Sequence, residues 1–373
     1  MRGQAPKIME NKDIIYYHAF SCVGGFGPQK FKRLEAFFGN LAKAWDARLP
    51  ELLEAGISPA LAKTFLEKRN QISPERAFFE LEKEKIEIIT QKDNSYPPQL
   101  KEIPSAPAII YVRGNKDALK NKSLAVVGSR KFTQYGQRVT ENLCRELIRA
   151  GLTVVSGLAF GIDAIAHRAA LEAGGITIAV LGTGIDDATI YPRDNFNLAK
   201  NILAAGGALI TEYPPGTPSL KQNFPARNRI MAGLTLGALV VEAALDSGSL
   251  ITAGLALEFG REVFAVPGPI FSPQSEGTNY LIKNGAKLVE GAKDIFEELR
   301  ISSFTDEKNP ARVYEPISSE EKNIWKFLSN DPLHVDRLLK LTKLNPAALG
   351  SALALMEIKG AVKNVGGQNY IKI

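Results

Sequence analysis

From Ser123 to Arg300, short apolar runs alternate with stretches whose apolar residues recur every three or four positions, and few architectures can accommodate such an alternation. The runs are Leu124–Val127, Thr153–Ser156, Thr177–Leu181, Ala208–Thr211, Ala238–Glu242, Glu262–Val266 and Lys287–Val289. Between them the spacing predicts helices near 133–150, 162–174, 194–205, 225–235, 250–260, 277–284 and 292–300. Strands that are apolar on both faces cannot border water, so this segment is predicted to be an α/β fold, a doubly wound, mostly parallel sheet covered by helices on each side. In such a sheet ligands meet the carboxyl ends of the strands, where helix N-termini present free amides.

The flanking segments differ in pattern. From Ile14 to Glu84 the spacing is helical, as in Phe31, Leu34, Phe37 and Phe38, and the turn Val23-Gly24-Gly25-Phe26-Gly27-Pro28 opens the second helix with proline near its first position. That turn is similar to the hairpins of helix-hairpin-helix and SAM-like bundles. It allows two roles, a phosphate held on the Gly25 and Gly27 amides or a small docking bundle, and the lack of Lys or Arg before Lys30 favours docking. Prolines at 97, 98, 104 and 107 predict an extended connector, with one strand at Ala108–Val112, separating two folding units. After a linker at 301–316, three helical stretches and two strands around Gly366-Gly367 suggest a winged helix. The expected domains are a helical bundle over 10–88, the sheet core over 89–300 and the winged helix over 317–373.

At 373 residues and 45% hydrophobic content the chain can bury a large core, which excludes disorder as its overall class. No apolar run reaches the ~18–20 residues of a membrane span, and the two cysteines, Cys22 and Cys144, are too few and too distant to staple a secreted domain. A cytoplasmic protein without a membrane association is expected. The basic excess of six divides into two over residues 1–100, one over 101–309 and three over 310–373, so an anion site must be built locally.

Several strand-to-helix turns have the composition for that. Gly128-Ser129-Arg130 offers a tight turn, a hydroxyl and a guanidinium fork suited to phosphate. Gly157, Gly161, Gly182 and Gly184 allow close backbone approach. Asp163 and His167 are four apart on one predicted helix, a spacing that suits a metal, although a helix-start carboxylate and a hydrogen-bonded histidine explain them better. The segment from Lys221 to Arg229 has three cations and no acid, with Phe224, Arg227, Asn228 and Arg229 among its residues, a combination that clamps phosphates and stacks an unpaired base. Ser247, Gly248 and Ser249, followed by Thr252, open a helix as an anion cradle. Glu242, at a strand end, is expected to neutralise Arg227 or Arg229.

In order and spacing these segments, together with Tyr96-Pro97-Pro98, Tyr191-Pro192, Thr211-Glu212-Tyr213-Pro214-Pro215-Gly216-Thr217 and Val266-Pro267-Gly268, resemble the DprA/Smf family of DNA-processing proteins in natural transformation. The resemblance covers residues 96–286 and implies an extended Rossmann-like core with an N-terminal SAM-like bundle and a C-terminal winged helix. It implies a binding protein rather than an enzyme, with no cofactor, metal or catalytic residue. The implied partners are single-stranded DNA, RecA, a second copy through the core and, as a further candidate, single-strand-binding protein. Gly128, Ser129 and Arg130 match the family's phosphate-contacting turn, and Phe224, Arg227, Asn228 and Arg229 match the segment beside it. Position 160 is basic in some members and is Phe160 here, which removes a cation from that turn.

The function expected is a mediator that protects incoming single-stranded DNA and helps load RecA. A nucleotide or nucleoside-phosphate hydrolase using the same turns with Glu242 and Asp246 is the competing possibility, and a dimeric scaffold that binds only protein is a third. The last predicted helix of the winged module, from Asn345 to Lys359, has few base-reading side chains, so docking or non-specific charge from Lys340, Lys343, Lys363 and Lys372 is expected of it.

Overall fold

The computed structural model describes residues 13–301, 316 and 318–372. Its main element is a nine-stranded sheet with the order β1-β2-β6-β5-β4-β3-β7-β8-β9. The strands are β1 (Ile86–Thr90), β2 (Ile109–Gly114), β3 (Ser123–Val127), β4 (Thr153–Ser156), β5 (Thr177–Val180), β6 (Ala208–Thr211), β7 (Gly237–Val240), β8 (Glu262–Ala265) and β9 (Lys287–Leu288). From β6 to β9 all neighbours are parallel, whereas β2 runs antiparallel to β6 and β1 antiparallel to β2. The chain winds outward from β3 to β6, then returns to lay β7 on the other side of β3, with Val127 opposite Val240. This reversal makes the β3–β7 boundary the topological switch point.

Side chains alternate across the sheet and build two apolar layers. Leu124, Val126 and Val154 pack with Leu143, Leu147 and Ile165 from the helices Gln134–Arg149 and Ile162–Glu172. On the opposite face Val127, Val155 and Val240 meet Ile230, Met231 and Ala253 from Asn223–Leu234 and Gly248–Glu258. Alanines at 125, 232, 238 and 256 are fully buried there, and such small side chains let helices lie close to the strands.

Among the described residues six helices precede β1, from Ile14–Val23 to Pro74–Lys83, around an aromatic centre in which Phe20 stacks on Phe65 at 4.9 Å. At the glycine turn the carbonyl of Gly25 accepts from Lys30 Nζ at 2.8 Å. One hydrophobic cluster runs from this bundle through Ile109 and Tyr111 into Leu181 and Leu209, so bundle and sheet form one compact unit. The connector therefore does not separate two bodies, and the expected boundary at 88/89 falls inside β1. That strand escaped sequence inspection because apolar residues at 86, 88 and 89 also suit a helix, and its pairing with β2 decides the matter.

The second unit has the helices Ser319–Phe327, Val335–Thr342 and Pro346–Ile358 and a small antiparallel sheet of β10 (Leu333–His334), β11 (Val362–Asn364) and β12 (Asn369–Lys372), ordered β10-β12-β11. Leu338, Leu349, Leu353 and Met356 fill its core, as in a winged helix. Pro346–Ile358 turns Leu355 and Ile358 to solvent, and Lys372 Nζ sits 4.0 Å from the Trp325 ring centre. The expected linker, apart from Ile301 and Pro316, lies outside the described residues.

His18, at the seam between bundle and sheet, is buried with Nδ1 2.8 Å from the Tyr111 hydroxyl, and burial lowers its pKa from 6.5 to about 4. The unfolded chain thus takes up a proton that the folded chain refuses, so this contribution to stability is full above pH 6.5 and is lost as pH falls toward 4. His18→Asn should remove up to about 1.4 kcal/mol per pH unit from the slope of unfolding free energy between pH 6 and 5. Equal slopes for the variant and the parent in urea titrations would contradict the assignment.

Candidate functional site

At the switch point the carboxyl ends of β3 and β7 open into a cleft of about 460 Å³. The turn after β3 is built on Ser129. Its amide donates to the Glu242 carbonyl at 2.7 Å, its hydroxyl donates to the Lys131 carbonyl at 2.9 Å, and its own carbonyl accepts from the Ile162 amide at 3.2 Å. Gly128 has no room for a side chain, since a Cβ there would lie 2.8 Å from Ile162 Cγ1. With the backbone pinned, the Arg130 and Lys131 side chains project into solvent at the cleft wall, the Arg130 guanidinium 5.8 Å from the Phe224 ring centre.

Glu242 pairs with neither Arg227 nor Arg229. Its carboxylate accepts from the Thr133 amide at 2.9 Å and the Thr133 hydroxyl at 2.5 Å, which fixes the start of Gln134–Arg149. The cause is topological: Glu242 lies just beyond β7, and β7 is paired with β3, so it faces the helix that follows β3.

The arginines on Asn223–Leu234 part company. Arg227 is 4% exposed; its Nη1 donates to the Gly157 carbonyl at 2.6 Å and to the Val180 carbonyl, and its Nε to Asn228 Oδ1 at 3.2 Å. On the other side of the same turn Asp163 Oδ2 accepts from the Gly157 amide at 3.0 Å and the Ala159 amide at 3.4 Å. Burial raises the Asp163 pKa and lowers that of Arg227, and each opposes the other's shift. A guanidinium keeps its proton even so. Arg229, two residues on and so on a different helix face, forms a largely buried ion pair with Glu212 and does not line the cleft.

The other predicted residues sort by position. Phe224, Asn228, Ser247, Gly248, Ser249, Asp163 and Thr252 line the cleft with Gly128, Ser129, Arg130 and Arg227. The Ser247 and Ser249 hydroxyls are 2.7 Å apart at the start of Gly248–Glu258, and Asn228 Nδ2 donates to the Gly248 carbonyl at 3.3 Å. Lys221 is exposed outside the cleft. Gly157 lies against Arg227, with a Cβ there only 2.2 Å from Nη1; Gly161, at φ +78°, lies against the Ser129 carbonyl. Gly182 backs the Phe224 ring and Gly184 packs beside Asp186. His167 is fully buried, its Nδ1 2.7 Å from the Thr177 hydroxyl, and burial takes its pKa down to about 3. It shares no ligand position with Asp163, whose carboxylate holds the Gly157 turn.

Sequence inspection missed Lys131, Met231 and Gln274. Lys131 was legible as the neighbour of Arg130. Gln274 follows β8, the next strand along, and its Oε1, like Thr252 Oγ1, is buried without a hydrogen-bond partner.

The sequence model of the family described as DNA recombination-mediator protein A matches residues 87–300, and that of the DprA winged helix domain matches 308–368. The chain belongs to the DNA recombination-mediator protein A family. Among curated members, protein Smf of Escherichia coli K12 is 47% identical over 67% of this chain and 66% of its own length. Protein Smf of Synechocystis is 34% identical over 97% of this chain and 99% of its own. The crystal structure of DNA processing protein A from Streptococcus pneumoniae aligns with a TM-score of 0.66 at 39% identity, covering 76% of this chain and 97% of that one. A Helicobacter pylori DNA processing protein A, described by its single-stranded DNA binding mode, aligns at 0.51 and 30% identity over 57% of this chain and 96% of its own. Both the mostly parallel core and the winged tail thus agree with the family.

Within this fold Arg227 is a structural cation. Replacement by Met leaves the Asp163 carboxylate buried without it, which should cost about 3–5 kcal/mol. Asp163→Asn with Arg227→Met should cost less than the sum of the single changes. Strict additivity in urea unfolding would show that the two act separately.

Proposed function

We propose that this family member binds single-stranded DNA at the switch-point cleft, shields it, and presents it for RecA loading, without chemistry of its own. The observation that carries the proposal is the cleft wall: two free cations, Arg130 and Lys131, beside the half-buried Phe224 ring, with serine hydroxyls and the N-terminus of Gly248–Glu258 opposite. Cations and amides suit phosphates, and an aromatic face suits an unpaired base. The H. pylori relative's single-stranded DNA binding supports the same ligand here. RecA, single-strand-binding protein as a further partner, and a cytoplasmic setting are part of the same proposal, with family membership as their support; no described helix is long and apolar enough to cross a membrane. Of the two carboxylates a hydrolase could draw on, Glu242 is engaged by Thr133, and Asp246 is exposed at the cleft.

Dimerisation through the core is part of the proposal. Ile270 is 78% and Phe271 92% exposed in the turn after β8, and Tyr280 and Leu288 add apolar surface on the adjoining helix and edge strand. Unpaired apolar surface of this kind favours a second copy. Phe271→Asp should shift sedimentation from dimer to monomer; an unchanged dimer would move the interface elsewhere. The winged module is assigned to protein docking, because Pro346–Ile358 exposes apolar rather than base-reading groups.

The site itself is tested by salt-dependent titration with oligothymidine. Removing a cation that neutralises one phosphate of a single strand should lower the slope of log affinity against log salt by about 0.7. Arg130→Ala and Lys131→Ala should each lower affinity and slope, whereas Arg229→Met should leave the slope unchanged. Undiminished binding by the Arg130→Ala/Lys131→Ala double variant would overturn the site.

A further inference from the structure

Three large aromatic rings that do not line the cleft are partly exposed on turns beyond the carboxyl ends of the strands. Phe132 and Phe160 are each 41% exposed and Tyr191 is 46% exposed. They lie on the connections that follow β3, β4 and β5, which are consecutive strands of the sheet and so about 4.8 Å apart. Tyr191 stands beside the ring of the cleft, the Tyr191 and Phe224 centres being 6.1 Å apart with Arg130 5.8 Å from the Phe224 centre, while Phe132 borders a shallow groove with Gln137, Ile165 and Arg168. The 160–161 turn is packed on the 129–130 turn, since a Cβ on Gly161 would be 2.7 Å from Arg130 Cα.

Their backbones are held firmly although their rings are free. Asn195 Nδ2, four residues beyond Tyr191, donates to the Leu158 carbonyl at 2.9 Å and the Ala159 carbonyl at 3.2 Å, tying the Tyr191 segment to the turn that carries Phe160. Asp163 holds the same turn through the Ala159 amide. The turn bearing Phe132 is fixed by the Ser129–Lys131 bonds and by Glu242 at Thr133. Partly exposed aromatic rings on fixed turns are pre-organised platforms for flat apolar ligands. Arg130 and Lys131 are exposed on the turn before Phe132 and supply cations that a polyanion would need, and Arg193, exposed beyond Tyr191, is held by the Asp187 carbonyl and the Phe196 ring.

We infer that Phe132, Phe160 and Tyr191 form a stacking ridge that carries single-stranded nucleic acid beyond the cleft, with unpaired bases on the rings and phosphates along the interleaved cations. The inference rests on the proposed single-strand binding and deepens it: the ligand is a strand several nucleotides long, gripped by base faces without regard to sequence. Every base has a π-face, and each stacked base contributes about 5- to 150-fold in affinity by truncation of the ring.

The test uses the full chain and oligothymidine with and without abasic positions, comparing the parent with Phe132→Leu/Phe160→Leu/Tyr191→Leu. Leucine keeps apolar bulk and removes the aromatic face, and all three sites are exposed, so urea unfolding should be unchanged. The parent should bind the abasic strand at least tenfold more weakly than the intact one, and the variant should lose most of that difference, keeping only the part that the Phe224 ring of the cleft contributes. Salt slopes should be equal for both proteins, because phosphates are still held. Phe160→Tyr, introduced alone, should retain full affinity. If the parent binds but the variant matches it on intact DNA, or loses affinity equally for both strands, the ridge is wrong while the cleft stands. If the parent shows no salt-dependent binding to either strand, the proposed function fails first.

Discussion

The buried guanidinium of Arg227 is the interaction on which the cleft depends. It donates to carbonyls at the ends of β4 and β5 while Asp163 receives amides from the far side of the Gly157 turn. Neither charge is free to serve a ligand, and both are disfavoured by burial. What they provide is rigidity: three neighbouring turns keep one arrangement, so the groups around the cleft present donors without reorganising. Gly157 is required because the guanidinium occupies the space of its side chain.

The same arrangement separates the roles of the cations. A cluster such as Lys221, Arg227 and Arg229 looks like one phosphate clamp when written in line, but the helix sends Arg227 into the sheet edge, Arg229 to Glu212 and leaves Lys221 outside. The charge available at the cleft comes from Arg130 and its neighbour Lys131, which the Ser129 turn holds outward. A core with a basic excess of only one can therefore offer a local anion site, because arrangement rather than net charge decides which cations face it.

The sheet was legible because strands buried on both faces leave continuous apolar runs; Thr153–Ser156 and Ala208–Thr211 are bounded in the structure as the sequence bounds them. The turns that line the cleft were legible for a related reason, since close backbone approach demands glycine and small hydroxyl residues. Glu242 was assigned the wrong partner because charge complementarity was considered without the return of β7 to the side of β3. Gln274 and β1 escaped for want of a local signal: a glutamine in a helix start is unremarkable, and Ile86–Thr90 becomes a strand only through pairing with β2.

Amide hydrogen exchange of the full chain with and without a saturating oligothymidine tests the central claim most directly, since it locates the ligand on the backbone. The account predicts slowed exchange at 128–133, 157–161, 223–229 and 247–252, with the winged module at 318–372 unchanged. Protection confined to the winged module, or to the helices before β1, would contradict it.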